Sequence, residues 1–340
     1  MLRTATTLAS HTIGVHDQQG LQTQIARFNE TIRITMHSLS RKEAIEGLLD
    51  VASRGVAVRS FLGYLKRKSI DITPDVLKLG LTKVTLNTKE LGEIIDLLPE
   101  QHDGFFNLNA ETTDFIAKNY PRESVPLLIQ LLNNNKLKHS KFPAAMCLGK
   151  IGSDAQNAVP HLIKVVESGK FDSNTGGEIA KALGAISPRD KTLVPVLRKL
   201  LHGGNTSVYE AAKVLGEIGS GAKEAIPDLE EAALELRVVD GEESSPYTKE
   251  FVHPNAAAEK AIEAIGKIGG EESLNALTRL LQKYSSSYTG FTGAVAEALG
   301  HMGKAAKSKQ VREGLIDALE FIERGTLVSS IISATLKKIG

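Results

Sequence analysis

The sequence predicts an all-α chain, an α-solenoid of short helical hairpins with a further helical region in front, and three observations predict it. An eight-residue phrase returns six times in the second half of the chain. A Val-Pro or Ile-Pro phrase follows it at a fixed distance. Aromatic residues make up only 5% of the 340 residues, and Trp is absent, as suits helices packed through Ala, Leu, Ile and Gly.

The phrase begins at Ala145, Ala180, Ala212, Ile262, Ala296 and Ser333. Its central apolar column is Leu148, Leu183, Leu215, Ile265, Leu299 and Leu336, giving spacings of 35, 32, 50, 34 and 37 residues. One unit is thus the length of two short helices and two turns. Pro160, Pro195 and Pro227 each lie 11 residues after Gly149, Gly184 and Gly216, and Pro126 opens a similar apolar run. Two motifs locked at one offset define a register.

Each column has a physical role. The small residue, the Leu or Ile, and the next Ile or Met sit at relative positions 0, 3 and 6, with Cys147, Ala182, Val214, Ala264 or Ala298 just before the Leu or Ile. Together they make the buried stripe of an amphipathic helix. The column holding Met146, Lys181, Lys213, Glu263 and Glu297 falls on the face that meets water. Glycine after the Leu or Ile costs about 1 kcal/mol in a helix interior, so its presence in five of six copies predicts close approach of the next helix. The second glycine column, Gly152, Gly219, Gly269 and Gly303, falls where a helix stops in a left-handed cap. The proline then enters the first turn of the partner helix, where its missing N–H costs nothing.

The A-x-x-L-G-x-I-G phrase followed by V-P-x-L resembles the HEAT repeat, in particular the short Gly-rich variety of phycobilisome-lyase-type HEAT-like proteins, over about residues 110–340. The resemblance implies a right-handed superhelix of antiparallel helix pairs, with the second helix of each pair lining a concave face. The expected organisation is a flexible start at 1–20, a helical region of degenerate repeats or a capping bundle at 21–109, and the array at 110–340. In the helical region, Leu21, Ile25, Phe28, Ile32, Met36 and Leu39 form one stripe, Ser40 with Glu43 a capping box, and Thr88 with Glu90 and Glu93 a helix start. At the other end, Lys337 replaces the packing glycine with Lys338 beside it, which predicts a solvated cap.

Composition narrows the function. Basic residues number 41 and acidic residues 40, a balance that argues against a dedicated nucleic-acid or membrane-surface protein. No stretch approaches the roughly 18 apolar residues needed to span a bilayer. A single cysteine, Cys147, in a column of small buried residues, excludes an internal disulfide and reads as inert; the reducing cytoplasm is the expected location. The nine histidines form no His-Glu pair, whereas the metal-dependent HEAT-repeat hydroxylases that resemble this fold carry repeated ones. Gly216 to Lys223 mimics a phosphate loop but lacks the G-K-[S/T] ending and coincides with a repeat turn. No catalytic residue, metal or cofactor is expected.

Candidate partner-binding residues lie where the chain departs from its repeat. The 50-residue spacing contains a polar insertion with Glu242 and Glu243, followed by Tyr247, Phe251 and His253. Insertions in such arrays map to one edge, often the binding edge. Tyr288 and Phe291 lie on the same edge, each also readable as a local staple where the next helix begins. On the second helices, Lys164, Arg198 and Arg279 alternate with the acids Asp228, Glu230 and Glu231, so no basic stripe runs along them. The reading is a non-catalytic scaffold that binds another protein through its concave face or inter-repeat loop edge. A bilin-lyase-like chromophore-handling factor is the alternative implied by the resemblance. Nucleic-acid binding through Lys66, Arg67, Lys68, Lys136, Lys138 and Lys141 is a lesser one.

Overall fold

A computed structural model describes residues 88–95, 106–134, 140–234, 256–284 and 289–340. Every element among them is helical, and no described helix is long and apolar enough to cross a membrane. Contacts divide these residues into two compact units, the first ending at Leu131.

The first unit holds α1 (Thr88–Ile95), α2 (Phe106–Asn119) and α3 (Pro121–Leu132), whose last residue falls with the second unit. Leu91 and Ile95 of α1, Ile116 of α2, and Val125, Leu128 and Leu131 of α3 are buried. The i, i+3, i+6 spacing along α3 is the periodicity that makes one helix face apolar. Thr88 does open a helix, and Pro126 lies inside α3 rather than in its first turn. The expectations for residues 1–87 lie outside the described residues.

In the second unit, α4 (Lys141–Ile151), α6 (Ser173–Ile186), α8 (Asn205–Ile218), α10 (Ala256–Ile268), α12 (Thr289–Met302) and α14 (Leu327–Ile339) carry the six phrases. Between them run α5 (Val159–Glu167), α7 (Val194–Leu200), α9 (Ile226–Leu234), α11 (Gly270–Tyr284) and α13 (Lys309–Phe321). Pro160, Pro195 and Pro227 are each the second residue of their helix, as the fixed offset predicts. Each phrase helix packs on the next one along an unbroken row. The core is the set of columns read from the sequence, with Leu148, Leu183, Leu215, Ile265 and Leu299 all fully buried.

The glycine column marks backbone contact. A Cβ built on Gly149 would lie 3.0 Å from the Ala182 Cα, and one on Gly216 3.2 Å from the Ala264 Cα. The cap glycines differ in detail from expectation. Gly152 (φ 70, ψ −137) and Gly219 (φ 68, ψ −135) take positive φ but not αL, and each opens a 3₁₀ segment that leads into the proline-bearing helix.

The two rows are unequal. Along the phrase row Gly149, Gly216 and Gly266 bring their helices to the backbone of the next one, while Gly184 and Gly300 meet the side chains of Val214 and Thr335; the helices of the other row touch one another less extensively.

One helix is capped by its neighbour. The N-cap of α8 is Gly204, which has no side chain to offer. The Ser173 hydroxyl, from the preceding phrase helix, accepts from the Thr206 and Ser207 N–H groups at 3.1 and 3.4 Å. Those amides are the N2 and N3 donors that a local cap would satisfy.

Candidate partner-binding surface

The structure separates the sequence-predicted site residues. Glu242, Glu243, Tyr247, Phe251, His253 and Tyr288 lie outside the described residues, as do Lys66 to Lys68, Lys136 and Lys138. Phe291 is 0% exposed. It is a core residue of α12, not an accessible grip, because it sits two turns before Leu299 on the same apolar stripe. Cys147 is likewise buried.

Of the three predicted basic residues on the second helices, Lys164 is exposed, while Arg198 and Arg279 are spent between units. Arg198 Nε donates to Asp228 Oδ2 at 2.5 Å, joining α7 to α9, and His202 Nε2 lies 3.6 Å from Asp228 Oδ1. Arg279 grips Glu230 with Nε and Nη2 at 2.8 and 2.6 Å, joining α11 to α9. Hydrogen bonding to these carboxylates raises both guanidinium pKa values. The sign alternation visible in the sequence is therefore a set of inter-repeat clasps rather than a groove awaiting charge.

A different surface emerges on the phrase row. In α6, α8, α10 and α12, three positions, two before the small residue and one and five after it, fall on one ridge that the packing leaves at least partly open. In α6 the ridge is Glu178, Lys181 and Ala185; in α8 it is Glu210, Lys213 and Glu217. In α10 it is Lys260, Glu263 and Lys267, and in α12 it is Ala294, Glu297 and His301. The middle position was read from the sequence as water-facing. The flanking positions were missed because their residues share no type; aligning the six copies column by column was the signal that could have found them.

The ridge of α10 pairs its charges internally. Glu263 accepts from Lys260 and from Lys267, the latter at 2.6 Å, and the Lys260 ammonium sits 5.3 Å from the centre of the half-buried Tyr209 ring on α8. Burial works to raise the Glu263 carboxyl, but the two lysine hydrogen bonds outweigh it and hold it below the ordinary range. The Glu263 hydrogen bond raises Lys260 in turn, against partial burial. The ridge of α6 behaves otherwise. Burial pushes the Glu178 carboxyl up; Lys181, 3.6 Å away, opposes this, and Glu210 on the neighbouring helix adds to it. Glu210 Oε2 is buried without a hydrogen-bond partner.

Residues 208–235 and 257–283, which are the hairpins α8–α9 and α10–α11, match the model of the PBS lyase HEAT-like repeat. The chain carries PBS lyase HEAT-like repeats. A 76-residue stretch is 41% identical to deoxyhypusine hydroxylase of Neurospora crassa, covering 22% of this chain and 22% of that protein's length. Among solved structures, an engineered protein superposes with a TM-score of 0.45 at 18% identity, covering 99% of this chain and 94% of that one. The complex of CpcE and CpcF of phycocyanin lyase from Nostoc sp. PCC7120 gives 0.36 at 20% identity, covering 76% and 96%. Human deoxyhypusine hydroxylase in complex with glycerol gives 0.30 at 14% identity, covering 88% and 98%. In the matched hairpins, the repeated residues are packing residues: the small and the Leu or Ile columns are buried, and the Gly column sits against the next helix.

Proposed function

We propose that this chain is a non-catalytic scaffold that binds a partner protein along the open ridges of its phrase helices. One observation carries the reading: beside their buried stripes, α8 and α10 each leave three charged side chains of mixed sign at least partly open, Glu210, Lys213 and Glu217, then Lys260, Glu263 and Lys267. Such a surface, repeated along a stack, suits an extended protein partner better than a small molecule. The sequence holds no His-Glu pair of the kind that the metal-dependent HEAT-repeat hydroxylases carry. The chromophore-handling alternative rests on the resemblance of the repeats and finds no added support in the ridge chemistry.

Cross-linked capture from the native cell tests the proposal with three chains: wild type, the ridge variant Lys181→Ala/Lys213→Ala/Glu217→Ala/Lys267→Ala, and a chain lacking residues 240–253. Loss of a partner with the ridge variant supports the reading. Loss only on deletion moves the site to the loop edge. Equal recovery with all three overturns it.

A further inference from the structure

The middle position of the ridge reads Lys181, Lys213, Glu263 and Glu297 along α6, α8, α10 and α12, two cations followed by two anions. Within one chain this order sets like beside like, Lys181 in the register next to Lys213 and Glu263 next to Glu297. Only the step from α8 to α10 joins opposite signs, and the chain does not use it. Glu263 takes both its lysines from its own helix, and Lys213 makes no ion pair among the described residues. Five positions after the small residue, Glu217 of α8 stands level with Lys267 of α10, and Glu217 is exposed and also without an ion pair among the described residues. Glu297 is the same.

A block order of this kind is complementary to its own reverse, and a two-fold axis supplies the reverse. With the axis parallel to the helices and midway between α8 and α10, a second copy sets its α10 on α8 and its α12 on α6. Lys213 then faces the second copy's Glu263, Glu217 faces its Lys267, and Lys181 faces its Glu297, each pair occurring twice. The remaining ridge positions bring no like charges together: Glu178 falls opposite Ala294, Glu210 opposite Lys260, and Ala185 opposite His301. Helix spacing matches because both faces come from the same array. An axis across the helices would instead put Lys213 on Lys213 and Glu263 on Glu263, so charge selects one of the two arrangements.

We propose that the ridge face of α6, α8, α10 and α12 binds a second copy of this chain through that two-fold. This deepens the scaffold reading by naming the partner, and it rests on the ridges being the binding face. Exposed charges contribute orientation and specificity more than tightness, so the dimer is weak and sensitive to salt.

Sedimentation equilibrium of the full chain at rising concentration tests the assignment. Wild type should pass from monomer to dimer, with an association constant that falls about tenfold or more as salt rises from about 0.05 to about 0.5 M. Lys181→Glu/Glu217→Lys keeps the net charge and changes only exposed residues, yet it sets like charges on Glu297 and Lys267 of the second copy; dimerisation should weaken about tenfold or more. Lys267→Glu/Glu297→Lys should do the same. Mixing the two variants, or combining all four substitutions in one chain, should restore the wild-type constant, because every reversed charge again meets its opposite. A second measurement needs no variant: zero-length carbodiimide coupling of wild type should join Lys181 to Glu297, which sit three helix spacings apart in one chain, roughly 24–30 Å, and so can be joined only between copies. A monomer at every concentration, a dimer indifferent to the reversals, reversals that fail to rescue one another, or absence of that cross-link overturns the proposal. If the chain is monomeric but the ridge variant still loses a partner in native-cell capture, self-association is rejected and the scaffold stands; capture that survives the ridge variant as well rejects both.

Discussion

A side chain begun at Gly266 would meet the Cα of Ala298 at 3.0 Å and its carbonyl oxygen at the same distance. Backbone cannot step aside as a flexible side chain can, so this junction of α10 with α12 tolerates nothing larger than glycine. At Gly216 the nearest atom, the Ala264 Cα, is 3.2 Å away, and the others are side-chain carbons at 3.4 Å. Gly266→Ala should therefore destabilise by about 1–3 kcal/mol through overpacking, outweighing the ~1 kcal/mol that alanine gains in a helix. Gly216→Ala should sit nearer to neutral, and Gly216→Val should cost as much as Gly266→Ala or more. Chemical denaturation of the three variants checks the order; a Gly266→Ala protein as stable as wild type would mean that the two helices have slack.

Ser173 serves the helix after its own. Replacing it with Ala should cost about 1 kcal/mol, the usual loss of an N-cap. Hydrogen exchange should quicken at Thr206 and Ser207, in α8, more than at residues of α6, where Asp172 caps through the Thr175 N–H at 2.7 Å. Faster exchange confined to α6 would contradict the shared cap.

Glu178 and Glu263 should pull stability in opposite directions with pH. The folded chain holds the Glu178 proton to higher pH than the unfolded chain does, so the contribution of this group is full below the ordinary carboxylate pKa of 4.5 and is lost as pH rises through the raised value. Glu263 is lowered in the fold; its contribution is present above the ordinary value and is lost as pH falls through the lowered one. Glu178→Gln should raise the melting temperature at neutral pH, with the gain shrinking on acidification. Glu263→Gln should lower it at neutral pH, with the loss fading in acid. Melting curves across pH for both variants decide the matter, and shifts of the same sign at neutral pH would break the assignment.

The clasp between Arg279 and Glu230 should be worth little in water. Arg279 is 59% exposed and its partner 16%, so screening and side-chain entropy leave a coupling of about 1 kcal/mol or less. A double-mutant cycle with Arg279→Ala and Glu230→Ala measures it. Arg279→Lys should recover only part of the coupling, since an ammonium cannot reproduce two parallel N–H donors. A coupling of several kcal/mol would show the pair to be better shielded than its exposure implies.

The sequence by itself determined the helices and their order. Phrase columns such as Leu148, Leu183 and Leu215, prolines 11 residues past a glycine, and a cap glycine at 152 or 219 are local signals, and local backbone preference and hydrophobic periodicity are written residue by residue. Tertiary structure alone decided which row packs more extensively, that Phe291 is core, that Arg198 and Arg279 are already partnered, and that the Glu178 carboxyl, partly buried, senses Glu210 of the next phrase helix. Each of these depends on the distance between helices some 30 residues apart in the chain. That distance is set by how side chains from several units fill one space at once, and the worth of a charge follows from how much water the packing leaves around it.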